Sequence, residues 1–189
     1  MATTTFDSLN AAIPSPRYSR DCPLPASLSV REARDAYLAE NGFSTDEYTK
    51  ETFCLMFFGG LFKLNFPNPP SRKRAIALHD LHHVATGYGA DFTGEGEIGV
   101  WELMGGCVAL SVYLLNGSAA ALGCFLSPPR MLAAYHAGRH ARALYRQDPN
   151  LDELLSLSLG DLRERLGIPR DGIAKGRRAV AATAPRDSA

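Results

Sequence analysis

A chain of 189 residues is long enough to bury one substantial core and too short to require two domains. Its 20 lysines and arginines balance 20 aspartates and glutamates, so no global field draws it to nucleic acid. The 4 cysteines stand far apart without a CxxC pair, which argues against a zinc finger or a thioredoxin-like motif.

The opening segment, MATTTFDSLNAAIPSPRYSR, has neither a basic n-region nor an apolar h-region, which points to the cytoplasm rather than to export. Residues 1–28 read as an N-terminal extension. Ser29-Val-Arg-Glu32 is a capping box opening a helix that stops at Asn41-Gly42. Ser44-Thr-Asp-Glu47 repeats the box, with Phe43 and Tyr48 placed as a hydrophobic staple. It predicts a second helix running into FCLMFFGGLFKLNF, interrupted at Gly59-Gly60. NFPNPP must be a loop, because Pro67, Pro69 and Pro70 forbid a regular helix or a central strand.

Ser71 caps the next predicted helix, which runs to about Ala85 and is ended by Gly87. Beyond GYGADFTG, Thr93 caps a long helix with Glu95 and Glu97 in its first turn, where the macrodipole favours acids. No charged residue occurs from Leu103 to Pro129, a stretch long enough to span a bilayer. Asn116-Gly117 is a helix-stop signal within it, and Gly105, Gly106 and Gly123 dilute its apolarity, so two buried helices are expected. Ser127-Pro-Pro starts a helix to about Arg146, and LDELL and DLRERLG predict two short ones. The tail, residues 173–189, is rich in Ala and Arg and reads as disordered. No stretch alternates as a strand does. The expected fold is all-α: a single-domain helical bundle over residues 29–172, with a metal site between two consecutive helices.

That site is HDLHHVATGYGADFTGE, residues 79–95, which concentrates three of the 5 histidines. With His79 at zero on a helical wheel of about 100° per residue, His83 falls near roughly 40° and Asp80 near roughly 100°. His82 points away, near about −60°. Two imidazoles one turn apart are a two-point metal grip. Glu95, opening the next helix, can supply a third ligand, with Asp80 as fourth ligand or as the partner that orients one. Two neutral histidines and two carboxylates around a divalent cation sum to zero charge, which makes their burial tolerable. The competing reading is an internal ion pair, with His79 or His83 protonated by Asp80 and Glu95.

Glu102 lies two turns beyond Glu95 on the same face, about 20° away. Gly99 and Gly106 share that stripe and would leave a groove for a ligand. Glu102 is therefore a candidate catalytic acid/base or substrate partner, or else a buried glutamate paired with an arginine.

His79-Asp80-x-x-His83, eleven residues and then Glu95 resembles the signature of the ubiquinone (coenzyme Q) biosynthesis proteins of the Coq-four family. The likeness continues through the apolar helix after the glutamate to DLRERLGI, and spans roughly residues 40 to 170. It implies an all-α fold and a divalent metal, generally regarded as zinc. It also implies a role in processing the head group of a polyprenylated benzoate, with loss of the ring carboxyl and hydroxylation of that carbon. A lyase or decarboxylase acting on this lipid is one expectation. A non-catalytic carrier or scaffold that presents the prenylated intermediate to other ubiquinone-pathway enzymes is another. An HDxxH hydrolase is weaker, because aspartate is a methylene shorter than the usual catalytic glutamate.

A polyprenyl tail has to be collected from a bilayer, so peripheral contact with an anionic membrane surface at its inner face is expected. Two features offer that contact: the aromatics from Phe57 to Phe66, and Arg130, Arg139, Arg142 and Arg146 on one predicted helix. His136 and His140 repeat the i, i+4 spacing there, but their cationic neighbours disfavour a second metal.

Overall fold

The structure, a computed structural model, describes residues 24–57, 62–107 and 110–174; for residues 54–64 and 108–111 it describes no side chains. Most of the N-terminal extension, the tail beyond residue 174 and the Gly59-Gly60 interruption lie outside those residues, as do Cys22 and the side chain of Cys54.

Helix α1, Val30–Asn41, forms on the predicted box: Ser29 Oγ accepts from the Glu32 amide and the Glu32 carboxylate accepts from the Ser29 amide. It ends at Gly42, whose φ of 70° suits glycine. The second box does not open an α-helix. Ser44 caps one 3₁₀ turn, Thr45–Tyr48, and the chain then enters β1, Thr52–Phe57. This strand pairs antiparallel with β2, Phe62–Pro67, in the register Thr52↔Pro67 to Phe57↔Phe62. The predicted helix here is thus replaced by a hairpin. Phenylalanines gathered on both sides of a Gly-Gly pair favour that outcome, although no clean alternation announces it. Phe53 and Phe66, opposite each other in the register, stack at 5.7 Å, and the Arg72 guanidinium lies 3.8 Å above Phe53.

Helix α2, Pro70–Thr86, starts on Pro69 as N-cap with Pro70 at the first position, two residues ahead of the Ser71 cap expected from sequence. From Ala77 to Thr86 every residue but His79 is buried. Its terminal carbonyls are all paired. The His83 carbonyl accepts from Gly87, Ala85 from the fully buried Arg163 at 2.8 Å, and Thr86 from Ile173 and Ala174. Val84 accepts from Arg163 at 3.5 Å.

Helix α3, Phe92–Gly105, is capped by Asp91 rather than Thr93, the Asp91 side chain accepting from the Thr93 and Gly94 amides. It packs on α4, Leu110–Leu126, at backbone distance. A Cβ on Gly96 would meet Gly123 Cα at 2.8 Å, and one on Gly99 would meet the Asn116 carbonyl at 2.8 Å. Of the expected stripe, Gly99 is therefore filled by a helix and Gly106 lies against the Arg146 side chain, so neither leaves a groove for a ligand. The uncharged stretch does not make two buried helices: it holds the last residues of α3 and the whole of α4, which part at Gly105-Gly106, where Gly106 has φ 110°, and α4, largely exposed, runs unbroken through Asn116-Gly117. Asn116 is spent inward on a side-chain bond and does not stop the helix.

Helix α5, Pro128–Gly138, is shorter than predicted. Gly138 packs against the Trp101 backbone, and the next residues bond to neighbouring elements: the Arg142 amide to Leu166 and the Ala143 amide to Gly105. A 3₁₀ turn, Leu144–Arg146, then leads to α6, Leu151–Ser156, and α7, Leu159–Leu166, the two short helices expected. The core joins α1, α2, α3, α6 and α7 through Val30, Leu81, Ile98, Trp101, Leu154, Leu159 and Leu162. The fold is all-α: among the described residues seven helices surround that core, with the hairpin as an appendage. Among the described residues no helix is long and apolar enough to cross a membrane.

The α3–α4 contact supplies a direct test. Gly96→Ala should destabilise the protein by about 1–3 kcal/mol through overpacking, seen as a lower urea midpoint with an unchanged slope. Gly117→Ala, where the added methyl meets nothing within 4 Å, should not lower the midpoint.

Candidate metal centre

His79, His83 and Glu95 come together as the spacing predicts. One ligand atom from each lies within 4.8 Å of the others. The two Nε2 atoms are 3.1 Å apart, and the Glu95 oxygens stand 3.5 Å from His79 Nε2 and 3.4 Å from His83 Nε2. Helix α2 sets both imidazoles one turn apart, and the loop closed by Gly87 returns the chain so that the first turn of α3 brings Glu95 opposite them.

The partners of the other ring nitrogens decide what these atoms can do. His83 Nδ1 faces the Tyr88 carbonyl at 3.1 Å, which can only accept, so Nδ1 carries the hydrogen and Nε2 a lone pair. His79 Nδ1 donates to Glu102 Oε1 at 2.9 Å, leaving its Nε2 directed at the same point. Two lone pairs 3.1 Å apart repel unless a proton or a cation stands between them. This donor set, two imidazole nitrogens and a carboxylate, fits a divalent ion of the zinc type with a position left for a further ligand.

Asp80 lies outside the trio. Its carboxylate accepts from the Tyr48 hydroxyl, which ties the 3₁₀ turn to α2, and burial raises its pKa more than that bond and the two histidines lower it. The position next to His79 therefore buttresses the site's wall in this structure.

Glu102 is fully buried, and its partners are not arginines. Oε1 accepts from His79, from His82 Nδ1 at 2.6 Å and from the Tyr145 hydroxyl at 3.1 Å, while Oε2 accepts from Asn116 Nδ2 at 2.6 Å. With four donors and no exposed surface it orients His79 and does not meet a substrate. The wheel reading of His82 as pointing away holds for the trio but missed its function. His82 Nε2 accepts from the Leu144 amide at 2.9 Å, so the neutral ring relays Glu102 to the 3₁₀ turn. Only a partner known in space could have revealed that role.

The charges follow from this geometry. Burial alone would lower the His79 pKa, but the Glu102 charge and hydrogen bond, with Glu95 behind them, hold it well above the ordinary imidazole value. Burial lowers that of His82 and keeps it neutral, the Glu102 bond only partly opposing. Burial opposes ionisation of Glu95 and Glu102 too, yet the histidines beside each hold both well below the usual carboxylate range. A protonated His79 between two carboxylates is thus the competing ion pair of the sequence reading, realised with Glu102 in place of Asp80. A cation entering the trio takes over that proton's place.

Comparison with known proteins returns no match: no family model, no curated protein and no solved structure is similar to the chain.

Two outcomes are expected from metal titrations. His83→Ala should abolish uptake of one Zn²⁺ per chain, and Glu102→Gln should weaken it by about 10–100-fold while all three ligands remain. Equal affinity in wild type and His83→Ala would remove the site.

The second concerns pH. The raised His79 pKa stabilises the metal-free fold fully below its unfolded value of about 6.5, and that contribution is lost as pH rises through the folded value. Zn²⁺ must displace the same proton. The rise in Tm on adding Zn²⁺ should therefore grow from about pH 6 to about pH 8, and a constant or shrinking increment would contradict proton displacement.

Proposed function

We propose that this is a metal-dependent protein of ubiquinone biosynthesis that binds the head group of a polyprenylated benzoate beside a zinc ion held by His79, His83 and Glu95. The observation that carries the reading is the convergence of both imidazole Nε2 atoms on one point, with their Nδ1 hydrogens committed elsewhere and Glu95 facing them. It supports the metal part of what the HDxxH-x₁₁-E resemblance implies. Zinc, when bound, supplies a Lewis acid that polarises a carboxylate or phenolate oxygen. The chain's own residues do the rest. Glu102 and the Tyr88 carbonyl fix the imidazoles, and α1 and the Thr45–Tyr48 turn pack against α2 beside them.

Lipid handling has separate support. Helix α4 exposes Leu114, Leu115 and Phe125, with Phe125 86% exposed, on the stretch that carries no charge before Arg130, and α5 exposes Leu132 just beyond it. That surface suits contact with the hydrocarbon boundary of a bilayer. The proposed basic face is smaller than the sequence implied. Arg130 is bidentate to Glu97, and the end of α5 at Gly138 takes Arg142 and Arg146 off its helix. The side chains of residues 54–64, most of the aromatic set, lie outside the described residues.

The carrier reading stays beside the enzyme for one reason: the acid expected to move protons, Glu102, is sealed and fully bonded. One experiment addresses the shared claim. The chain should restore ubiquinone in a bacterium blocked in carboxyl removal from the prenylated ring, His83→Ala should not, and the purified protein should carry a prenylated aromatic acid detectable by mass spectrometry. Turnover of that acid by the purified protein would make it the enzyme; tight binding without turnover would make it the carrier. Failure both to restore ubiquinone and to retain the lipid would refute the proposal.

A further inference from the structure

Tyr37, near the end of α1, lays its ring on His83, with centroids 5.4 Å apart and planes 18° from parallel. Phe43, just past the helix cap, meets the same ring edge-on at 6.3 Å and is itself 49% exposed. The Tyr37 residue is only 9% exposed. Its hydroxyl nevertheless differs from every other polar group around the trio. Tyr48 gives its hydrogen to Asp80, Arg34 bonds Asp35, both remaining histidine hydrogens go to Glu102, and His83 serves the Tyr88 carbonyl.

The Tyr37 hydroxyl makes no hydrogen bond to the described residues, and burial is the main influence on it, ahead of the charges of Asp80 and Glu95. Among the described residues the one fully sealed side-chain polar atom without a partner is Trp101 Nε1, so the Tyr37 oxygen keeps contact with solvent. Buried tyrosines ordinarily find a partner for the O–H. Here the hydroxyl has no partner among the described residues although its ring lies on His83, and Glu95 is the most open of the three ligands, its side chain 37% exposed. Neither carboxylate takes the hydrogen, although each would be an excellent acceptor.

We propose that Tyr37 is the hydrogen-bond donor that recognises an oxygen of an aromatic acid entering beside His79, His83 and Glu95, with Phe43 as the wall against the ring. The inference rests on the metal reading above. An anionic oxygen brought next to Glu95 and Asp80 needs a donor on its remaining lone pairs, and a neutral phenol supplies one without adding charge to a site whose ion and ligands are close to balance. If Tyr37 only packed against His83, its ring would suffice and the hydroxyl would be idle.

That difference defines the test. Tyr37→Phe keeps the stacked ring and removes only an oxygen that bonds nothing in the protein. Wild type and Tyr37→Phe are loaded with Co²⁺, whose visible absorption reports its ligand field, and each is titrated with benzoate and 4-hydroxybenzoate. The expected result is Co²⁺ affinity within about twofold of wild type and a benzoate Kd raised by about tenfold, the loss of one hydrogen bond to a charged group. Equal benzoate affinity in the two proteins overturns the proposal. So does loss of Co²⁺ by Tyr37→Phe, which would make the hydroxyl part of the fold, and so does a wild-type Co²⁺ spectrum that benzoate leaves unchanged. Wild-type protein that takes up no Co²⁺ fails before any acid is added, and that outcome sinks the metal reading along with this one.

Discussion

The carboxylate of Glu102 is the constraint on which the rest of this structure turns. A charge with no exposed surface costs several kcal/mol in lost hydration, even after relaxation. It is tolerated only where donors surround it. Those donors come from three places: His79 and His82 on α2, Asn116 on α4, and Tyr145 in the 3₁₀ turn after α5. Each must reach the same two oxygens, so the acid fixes how these elements sit around α3. Removing one donor would leave the others aimed at a charge they no longer balance. The metal trio inherits its rigidity from this arrangement, since His79 cannot rotate without giving up Glu102.

What was legible in the sequence divides along the same line. Local chemistry was readable. The Ser29 box, the Gly87 stop and the one-turn spacing of His79 and His83 all depend on residues within a few positions of each other. Glu95 was readable because one short loop separates its helix from theirs. Non-local partners were not. The wheel put His82 on the wrong side to matter, and only the fold brings Glu102 and the Leu144 amide to its two nitrogens. Asn116-Gly117 carries a stop signal that the fold overrides, because the asparagine is worth more as a donor to a buried charge than as a helix end. The hairpin was missed because its apolar residues run continuously. Such a run does not distinguish strand from buried helix by period.

The same helix that completes the buried network also faces outward. Asn116 on α4 is buried against Glu102, while Leu114 and Leu115, immediately before it, are each 66% exposed. The glycines of α3 and α4 let the two backbones touch, so little side-chain volume is needed between them and the large apolar residues are left for the outer surface. A helix with small residues inside and leucines and phenylalanine outside inverts the usual soluble pattern. The inversion makes physical sense where the outer face meets something apolar, as the proposed lipid contact would provide.

The metal is not what this fold is built on. A zinc finger condenses around its ion because it has too little core to fold otherwise. Here Trp101, Leu81, Ile98, Leu154 and Leu162 are fully buried without help from the trio, and the trio lies at the margin of that core, with Glu95 opening to solvent. In the absence of an ion the cluster is partly compensated, because a proton on His79 stands between the two carboxylates that a cation would otherwise face. Exchange of that proton for a divalent ion therefore changes the charge at one point without requiring the helices to move. Under the function proposed above, such a site would present its ion to a ligand on the side where Glu95 opens to solvent, beside a tyrosine whose hydroxyl has no partner among the described residues.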